Sequence, residues 1–441
     1  MILPQKKVLI ITYYFPPSGG PGVQRTLKFI KYLRAFGWEP IVLTARDADY
    51  PVLDESLFSE VPKGVKVYRS RILEPYRLYR TFTGRKSGES TDIATLSLDE
   101  RGKKRRSERI SEWIRATLFV PDARIGWLYF GYALGRKIVR QENIDVLYSS
   151  APPYTTHLIG LKLKRKSGLP WVADFRDSWI GWLSTPQWRP RVSRKIETVM
   201  ERSVLAEADR VLTVSEGVRE HLLERHPELR DDRWRLLPNG FDPEDFAGIE
   251  PVSINKKLTI TYLGSLYGLR NPEYLLRALE RLQQKQPDLV EKLALRFVGR
   301  VGAPILKRLQ TSSLSEKIEI LPYLSHDKSL SYLLGTDVAL LIIDDAPTNK
   351  GILTGKLYEY IGAGKPILAL APEGEAAELI RCNNLGWVVP PRDDLAIAKT
   401  LRDILQSNVR SLRTGDSFRE KFERKNQAEK LSKIFNEIAA L

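Results

Sequence analysis

Short runs of aliphatic and β-branched residues alternate along this chain with longer stretches in which apolar residues recur every three to four positions. The short runs predict strands at Val8–Tyr13, Pro40–Thr44, Val65–Tyr68, Asp145–Ser149, Trp171–Ala173 and Arg210–Val214. The longer stretches predict helices. In Val23–Phe36, for example, Leu27, Ile30 and Leu33 fall on one face. Alternation of this kind builds a parallel sheet with helices on both faces. A break comes at Asn239-Gly-Phe-Asp-Pro243, after which the pattern restarts. Leu258–Leu263, Leu293–Val298, Ile318–Leu321, Val338–Ile343, Ile367–Leu370 and Gly386–Val389 are the next strands. Leu275, Leu276, Leu279 and Leu282 mark the apolar stripe of the first helix among them.

The fold class is therefore α/β: two Rossmann-like parallel-sheet domains in tandem, expected to face each other across a crevice. A length of 441 residues is too great for one ordinary core and fits two. The expected boundaries are 1–245 and 255–415. The charged segment 416–441, with Phe422, Leu431, Ile434 and Phe435 as apolar positions, is either a plain terminal helix or a strap packing back on the first domain.

Composition adds a compartment and a charge. The single cysteine, Cys382, leaves no disulfide framework or cysteine zinc site and fits a reducing, cytoplasmic setting. No apolar run is long enough to span a membrane. Lys6-Lys7 before the run from Val8 to Phe15 imitates a signal peptide, but the run is short and Pro16-Pro17 follows, so a buried first strand is expected, with secretion the alternative. Seventy Lys and Arg against 54 Asp and Glu give a net charge of +16. Such a surface attracts nucleic acid, anionic lipid or phosphorylated ligands. The basic stretch Phe82–Arg109 is either a solvated loop or a contact with an anionic membrane surface, aided by Trp113, Trp127, Tyr129 and Phe130. The basic excess is read as concentrated in that stretch and in the last helix. With no recognised nucleic-acid motif, a nucleic-acid partner is not expected.

Ligands of open α/β sheets bind beyond the carboxyl ends of the strands. Four post-strand segments carry candidate chemistry. The first, Tyr13 to Val23, holds Gly19 and Gly20, where backbone N–H groups can approach an anion or simply form a turn. In the second, Asp174, Arg176 and Asp177 follow a strand and either bind acceptor hydroxyls or diphosphate or form an ion-pair network. His157, at a helix start, is similar. The third and its parallel place Arg270 and Arg300 just past strands, suited to clamp a diphosphate. In the fourth, Lys356 and Glu359 share one helix face between Gly355 and Gly362. They are either a surface ion pair or a diphosphate cation beside a ribose-holding carboxylate.

Taken in order, several segments resemble glycosyltransferase family 4, the group 1 transferases of the GT-B fold. They are Pro-Pro-Ser-Gly-Gly after the first strand, Ala206-Glu-Ala-Asp-Arg-Val-Leu-Thr-Val-Ser-Glu-Gly217, Leu237-Pro-Asn-Gly-Phe-Asp242, Leu263-Gly-Ser-Leu-Tyr, and Lys356-Leu-Tyr-Glu-Tyr-Ile-Gly-Ala-Gly-Lys-Pro366. The resemblance covers nearly the whole chain. It implies transfer of a sugar, with retention, from a nucleotide diphosphate sugar; the basic stretch and its aromatics point to a glycan or lipid-linked acceptor of cell-surface polysaccharide or glycoconjugate synthesis at the inner membrane face. It implies no metal and no further cofactor. Glu359 matches the family's ribose-holding glutamate, and Arg270 its diphosphate-gripping lysine. Two positions depart from the pattern. Gly351 stands where a second glutamate is usual, and Ser265 where an arginine is usual. One reading supplies the sugar contacts from the backbone of Gly351, Ile352 and Leu353, with Lys356 and Arg300 providing the missing charge. The other is a degenerate scaffold that binds nucleotide without turnover.

Overall fold

The computed structural model describes residues 6–50, 52–73, 117, 119–181, 189–253, 257–407 and 416–440. The basic stretch Phe82–Arg109 and Trp113 lie outside the described residues. The chain forms two compact units. One runs to Pro238 and resumes with Arg424–Leu441; the other contains Asn239–Glu423.

The first unit is a seven-stranded sheet of β1 (Lys6–Ile11), β2 (Trp38–Ala45), β3 (Lys66–Ser70), β4 (Val146–Ala151), β5 (Trp171–Phe175), β6 (Arg210–Thr213) and β7 (Trp234–Leu236). Its order is β3-β2-β1-β4-β5-β6-β7, and every pairing is parallel. The chain moves outward from β1 in one direction, then returns to lay β4 on the other side of β1. The loops after β1 and β4 thus diverge at a topological switch point. The covering helices are α1 (Pro21–Tyr32), α2 (Leu128–Glu142), α3 (Thr155–Ser167), α4 (Arg191–Glu207) and α5 (Glu216–Leu223). The helix expected over Val23–Phe36 starts at Pro21, with proline in the first turn, where its missing N–H costs nothing. It tightens to a 3-10 turn at Leu33–Phe36, and Gly37 ends it at φ 82°. The three-residue edge strand β7 has no counterpart in the sequence reading.

The second unit has six parallel strands: β8 (Leu258–Leu263), β9 (Leu293–Val298), β10 (Ile318–Leu321), β11 (Val338–Ile342), β12 (Ile367–Leu370) and β13 (Gly386–Val389). The order β10-β9-β8-β11-β12-β13 puts its switch point between β8 and β11. Its helices include α6 (Glu273–Lys285), α7 (Pro287–Glu291), α8 (Ala303–Gln310), α9 (His326–Leu334), α10 (Gly355–Gly362), α11 (Glu375–Cys382), α12 (Asp394–Gln406) and α13 (Asp416–Glu420). The α6 stripe of Leu275, Leu276, Leu279 and Leu282 is buried in the core.

Two expected boundaries move. Residues from Asn239 onward join the second unit rather than the first. The Phe241 ring lies so close to Gly362 that a methyl group there would come within 2.5 Å of it, and the Phe241 N–H donates to the Phe422 carbonyl at 3.0 Å. The terminal segment also divides. Phe422 stays with the second unit, 5.2 Å from the Tyr358 ring. The last helix, α14 (Arg424–Ala439), instead packs on α1, burying Leu431, Ile434 and Phe435 in the first unit's core. Phe435 meets Trp38 and Tyr148 edge-on at 5.1 and 6.0 Å. Aromatic pairs of this geometry add to area burial. Phe435→Ala should therefore lower unfolding free energy by about 3 kcal/mol or more in urea titrations. A loss below about 1 kcal/mol would mean that α14 adds little to the core.

Candidate functional site

In the second unit, the candidate donor residues gather where β8 and β11 part. β8 ends at Leu263, and Gly264 follows at φ 122°, in backbone space that side chains disfavour. Lys356, from the first turn of α10, lies across it. A methyl group on Gly264 would fall 2.3 Å from Lys356 Nζ. The ammonium sits 4.3 Å from the centroid of the buried Tyr262 ring and donates to Tyr262 Oη at 2.9 Å. That hydroxyl in turn donates to the Ser265 carbonyl at 3.1 Å. Burial pushes the Lys356 ammonium down to about 7; Arg270 adds to the shift and Glu359 opposes it. Burial likewise pushes Tyr262 up to about 12, with Arg270 opposing and Asp344 adding.

Tyr360 fixes this geometry from the same helix. Its hydroxyl accepts from the Leu263 N–H at 3.3 Å and donates to the Leu340 carbonyl at 3.1 Å, so α10 is pinned to both β8 and β11. Glu359, one turn from Lys356, turns elsewhere: its carboxylate meets His326 Nε2 at 3.2 Å. Lys356 and Glu359 are thus directed to separate partners rather than to each other. The Glu359 side chain keeps 29% of its surface accessible, enough to meet a ligand. Arg270 closes a tight turn, exchanging backbone hydrogen bonds with Tyr267 at 3.0 and 3.1 Å. Its guanidinium lies 5.6 Å from the Tyr267 ring, and its buried Nε makes no hydrogen bond. A buried guanidinium N–H left open is a place for an anion. Thr354 Oγ1, at the N-terminus of α10, is also buried and unpartnered. Arg300 follows Gly299 at the end of β9, and its carbonyl accepts from the Leu266 N–H at 2.8 Å.

Of the segment expected to offer backbone donors, Gly351 ends a 3-10 turn. Ile352 spends its N–H on the Asn349 carbonyl at 3.1 Å, which removes it as a donor to a sugar. Leu353 packs partly buried against the core.

The first-unit candidates behave differently. Asp174 is fully buried. Arg25 grips it with two bonds of 2.9 Å, and Tyr148 and Ser150 donate to it at 2.6 and 3.2 Å. Arg25 also donates to the Leu237 and Pro238 carbonyls, both at 2.9 Å. Asp174 is therefore a core ion-pair residue rather than an acceptor contact, because no oxygen faces outward. Arg176 donates to the carbonyls of Ala151 (3.1 Å), Pro152 (2.6 Å) and Gly22 (2.6 Å), bridging the loops after β1 and β4. Asp177 is partly buried, its carbonyl 3.4 Å from the Tyr154 hydroxyl. His157 is fully buried, with Nδ1 2.8 Å from Ser149 Oγ. Burial pushes it down to about 3, with Arg176 adding and Asp174 opposing. It is a neutral core residue, out of an acceptor's reach. The Gly19 N–H donates to the Val52 carbonyl at 2.9 Å. Gly20 caps α1 at φ 83°, with nothing within 4 Å of an added methyl group, so it borders open space. Of the aromatics assigned to membrane contact, Trp127 is buried and donates to Ser70 Oγ at 2.6 Å, whereas Tyr129 is exposed.

Known families account for this arrangement. Residues 19–240 match the glycosyl transferase 4-like domain, half of the chain, and residues 249–428 match the glycosyl transferases group 1. The chain belongs to the group 1 glycosyltransferases. The enzyme is 24% identical over 290 residues to a probable glycosyltransferase, WbjE, of Pseudomonas aeruginosa, covering 62% of this chain and 69% of that one. It is 29% identical over 108 residues to the D-inositol 3-phosphate glycosyltransferase of Stackebrandtia nassauensis, covering 23% and 24%. Among solved structures it is similar to the sucrose-phosphate synthase of Thermosynechococcus elongatus, with a TM-score of 0.63, 15% identity and 99% of both chains covered. It is also similar to an S. aureus TarM mutant in complex with fondaparinux, alpha-GlcNAc-glycerol and UDP, with a TM-score of 0.59, 11% identity, and 98% and 100% covered. These likenesses establish the GT-B fold of the glycosyltransferase.

Tyr262, Tyr360 and His326 position the site but carry no mark in the sequence; their only signal is the strand order that brings β8 beside β11. The Lys356 environment gives a ligand-free test. In trace acetylation followed by mass spectrometry, Lys356 labelling should reach half its plateau near pH 7, whereas ordinary lysines reach half only at about pH 10. Gly264→Ala should shift the Lys356 midpoint upward, because its methyl group displaces Nζ. A Lys356 profile like that of the exposed lysines would refute the buried placement.

Proposed function

We propose that this glycosyltransferase moves a sugar from a nucleoside diphosphate donor, held on the second unit, to a glycan or lipid-linked acceptor met by the first. The observation that carries this reading is the pair of cationic groups at the β8–β11 switch point. Lys356 has no carboxylate on its ammonium, and Arg270 has an open N–H. A diphosphate set there would restore to Lys356 the charge partner that burial withholds. Arg300, just past the end of the adjacent strand, would add a third contact. Glu359 would accept hydrogen bonds from a ribose diol. The S. aureus MnaA neighbour, with a TM-score of 0.52, is likewise a complex with UDP, which suits a uridine nucleotide.

Catalysis then rests on charge. As the glycosidic bond breaks, negative charge grows on the leaving diphosphate, and preorganised cations stabilise it more than they stabilise the ground state. Lys356 and Arg270 fill the role that a metal would otherwise take. No side chain is assigned as nucleophile, so acceptor attack on the face the leaving group vacates, with net retention, is the reading that suits the site. The sugar would lie against Gly351 and Leu353, and Asp177 is the remaining candidate for acceptor contact, since Arg176 spends its guanidinium on loop carbonyls. Products of this type belong to cell-surface polysaccharide or glycoconjugate synthesis, made on the cytoplasmic side.

Two measurements test the reading. Glu359→Ala should weaken UDP binding about tenfold or more in calorimetry, the cost of losing charge-assisted bonds to the ribose; wild-type affinity would refute the assignment. Wild-type protein should consume at least one donor in a panel of nucleotide sugars, with hydrolysis as the readout. UDP binding without any turnover would return the reading to a degenerate scaffold.

A further inference from the structure

Helix α4 in the first unit is inverted over its first three turns, before Val204 and Leu205 return apolar side chains to the core. The face it buries carries Ser193, Glu197 and Glu201, while Val192, Ile196 and Val199 are exposed at 69, 43 and 65%. Spacings of four and three residues place those three aliphatics in one outward stripe. Buried ion pairs hold the helix in this orientation. Arg189 meets Glu197 at 3.2 Å, and Glu201 takes Arg225 and His226, both at 2.9 Å. Rolling the stripe inward would expose these acids and leave their partners buried and uncompensated.

The same sorting of charge extends over the neighbouring helices. α2 packs against α3, and α3 against α4, in one layer over the sheet. These three helices carry eleven Lys and Arg against four Glu. Glu142, Glu197 and Glu201 are buried, and Glu207 pairs with Arg165. Nine of the basic residues are exposed, among them Lys137, Arg140, Lys162, Arg191 and Lys195. The basic excess is thus not confined to Phe82–Arg109 and the last helix, as the sequence reading had it.

We propose that the outer face of α2, α3 and α4 docks on an anionic lipid bilayer, with the Val192–Ile196–Val199 stripe inserted at the headgroup boundary and the flanking bases on the headgroups. Both halves of the face select this occupant. An aliphatic stripe has no use for the phosphates of nucleic acid, and a second copy would set basic face against basic face. A bilayer with anionic headgroups satisfies both at once. Among the described residues no helix is long and apolar enough to cross a membrane, so α4 would lie in the interface. The inference concerns the first unit and is independent of the donor-site reading.

Flotation of the full-length protein tests it, using phosphatidylcholine vesicles with and without phosphatidylglycerol. The protein should float only with the anionic vesicles, and high salt should weaken binding by about tenfold or more. Val192→Ser, Ile196→Ser and Val199→Ser combined should lower the bound fraction severalfold with unchanged circular dichroism and unchanged UDP affinity, since exposed positions are replaced. Reversing charge with Lys137→Glu, Lys162→Glu and Lys195→Glu combined should abolish flotation. Failure of the wild type to float with anionic vesicles, or flotation of the serine variant equal to wild type, would overturn the proposal. So would sedimentation equilibrium showing a dimer that the serine substitutions dissociate.

Discussion

A lysine ammonium laid across a glycine and against a tyrosine ring is the contact on which the proposed chemistry depends. Lys356 reaches that position only because β8 and β11 are neighbours, Gly264 has no side chain, and Tyr360 pins α10 to both strands. Its ammonium contacts a ring face and a phenol oxygen but pairs with no carboxylate, Glu359 acting on it only from a distance. A cation so placed loses hydration without gaining a contacting counter-charge, which is why burial drives it toward neutrality. The same deficit is what a diphosphate would relieve.

The two units use one topology for opposite ends. In the first, the charge near the switch point is complete: Asp174 is saturated by Arg25, Tyr148 and Ser150, and Arg176 laces the adjoining loops through carbonyls. Such a network specifies the packing and leaves little for a ligand. In the second, Arg270 Nε and Thr354 Oγ1 are buried without partners, and the cations lack an anion. Buried unpartnered atoms occur in both units, His157 Nε2 among them in the first; what marks the second is that Lys356 and Arg270 are cationic groups with no carboxylate in contact.

Much of the fold was legible because buried parallel strands leave continuous apolar runs. Leu258–Leu263, Leu293–Val298, Ile318–Leu321, Ile367–Leu370 and Gly386–Val389 begin and end where that pattern does. Trp234–Leu236, an edge strand of three residues, is too short to leave one. The site was legible only in part. Arg270, Lys356 and Glu359 stood out as charges beside glycines, but the partner of Lys356 lies 94 positions away, on β8. Arg25 is 149 positions from Asp174, so the local Asp–Arg–Asp cluster looked open when it was closed from a distance. The inversion of α4 was hidden for the same reason. Amphipathic patterning assumes that apolar faces turn inward, and only Arg189, Arg225 and His226 reveal that its acids do instead.

Proton uptake on nucleotide binding addresses the central claim most directly. With free Lys356 titrating near 7, a diphosphate beside it should raise that value, so binding above pH 7 draws a proton and affinity falls as pH rises. Calorimetry of UDP binding at pH 8, in buffers of differing ionisation enthalpy, should show uptake approaching one proton per site, as the linkage of charge to binding requires. Lys356→Met should abolish that uptake and weaken binding. Uptake by the wild type no greater than by the variant, with equal affinity, would contradict the account.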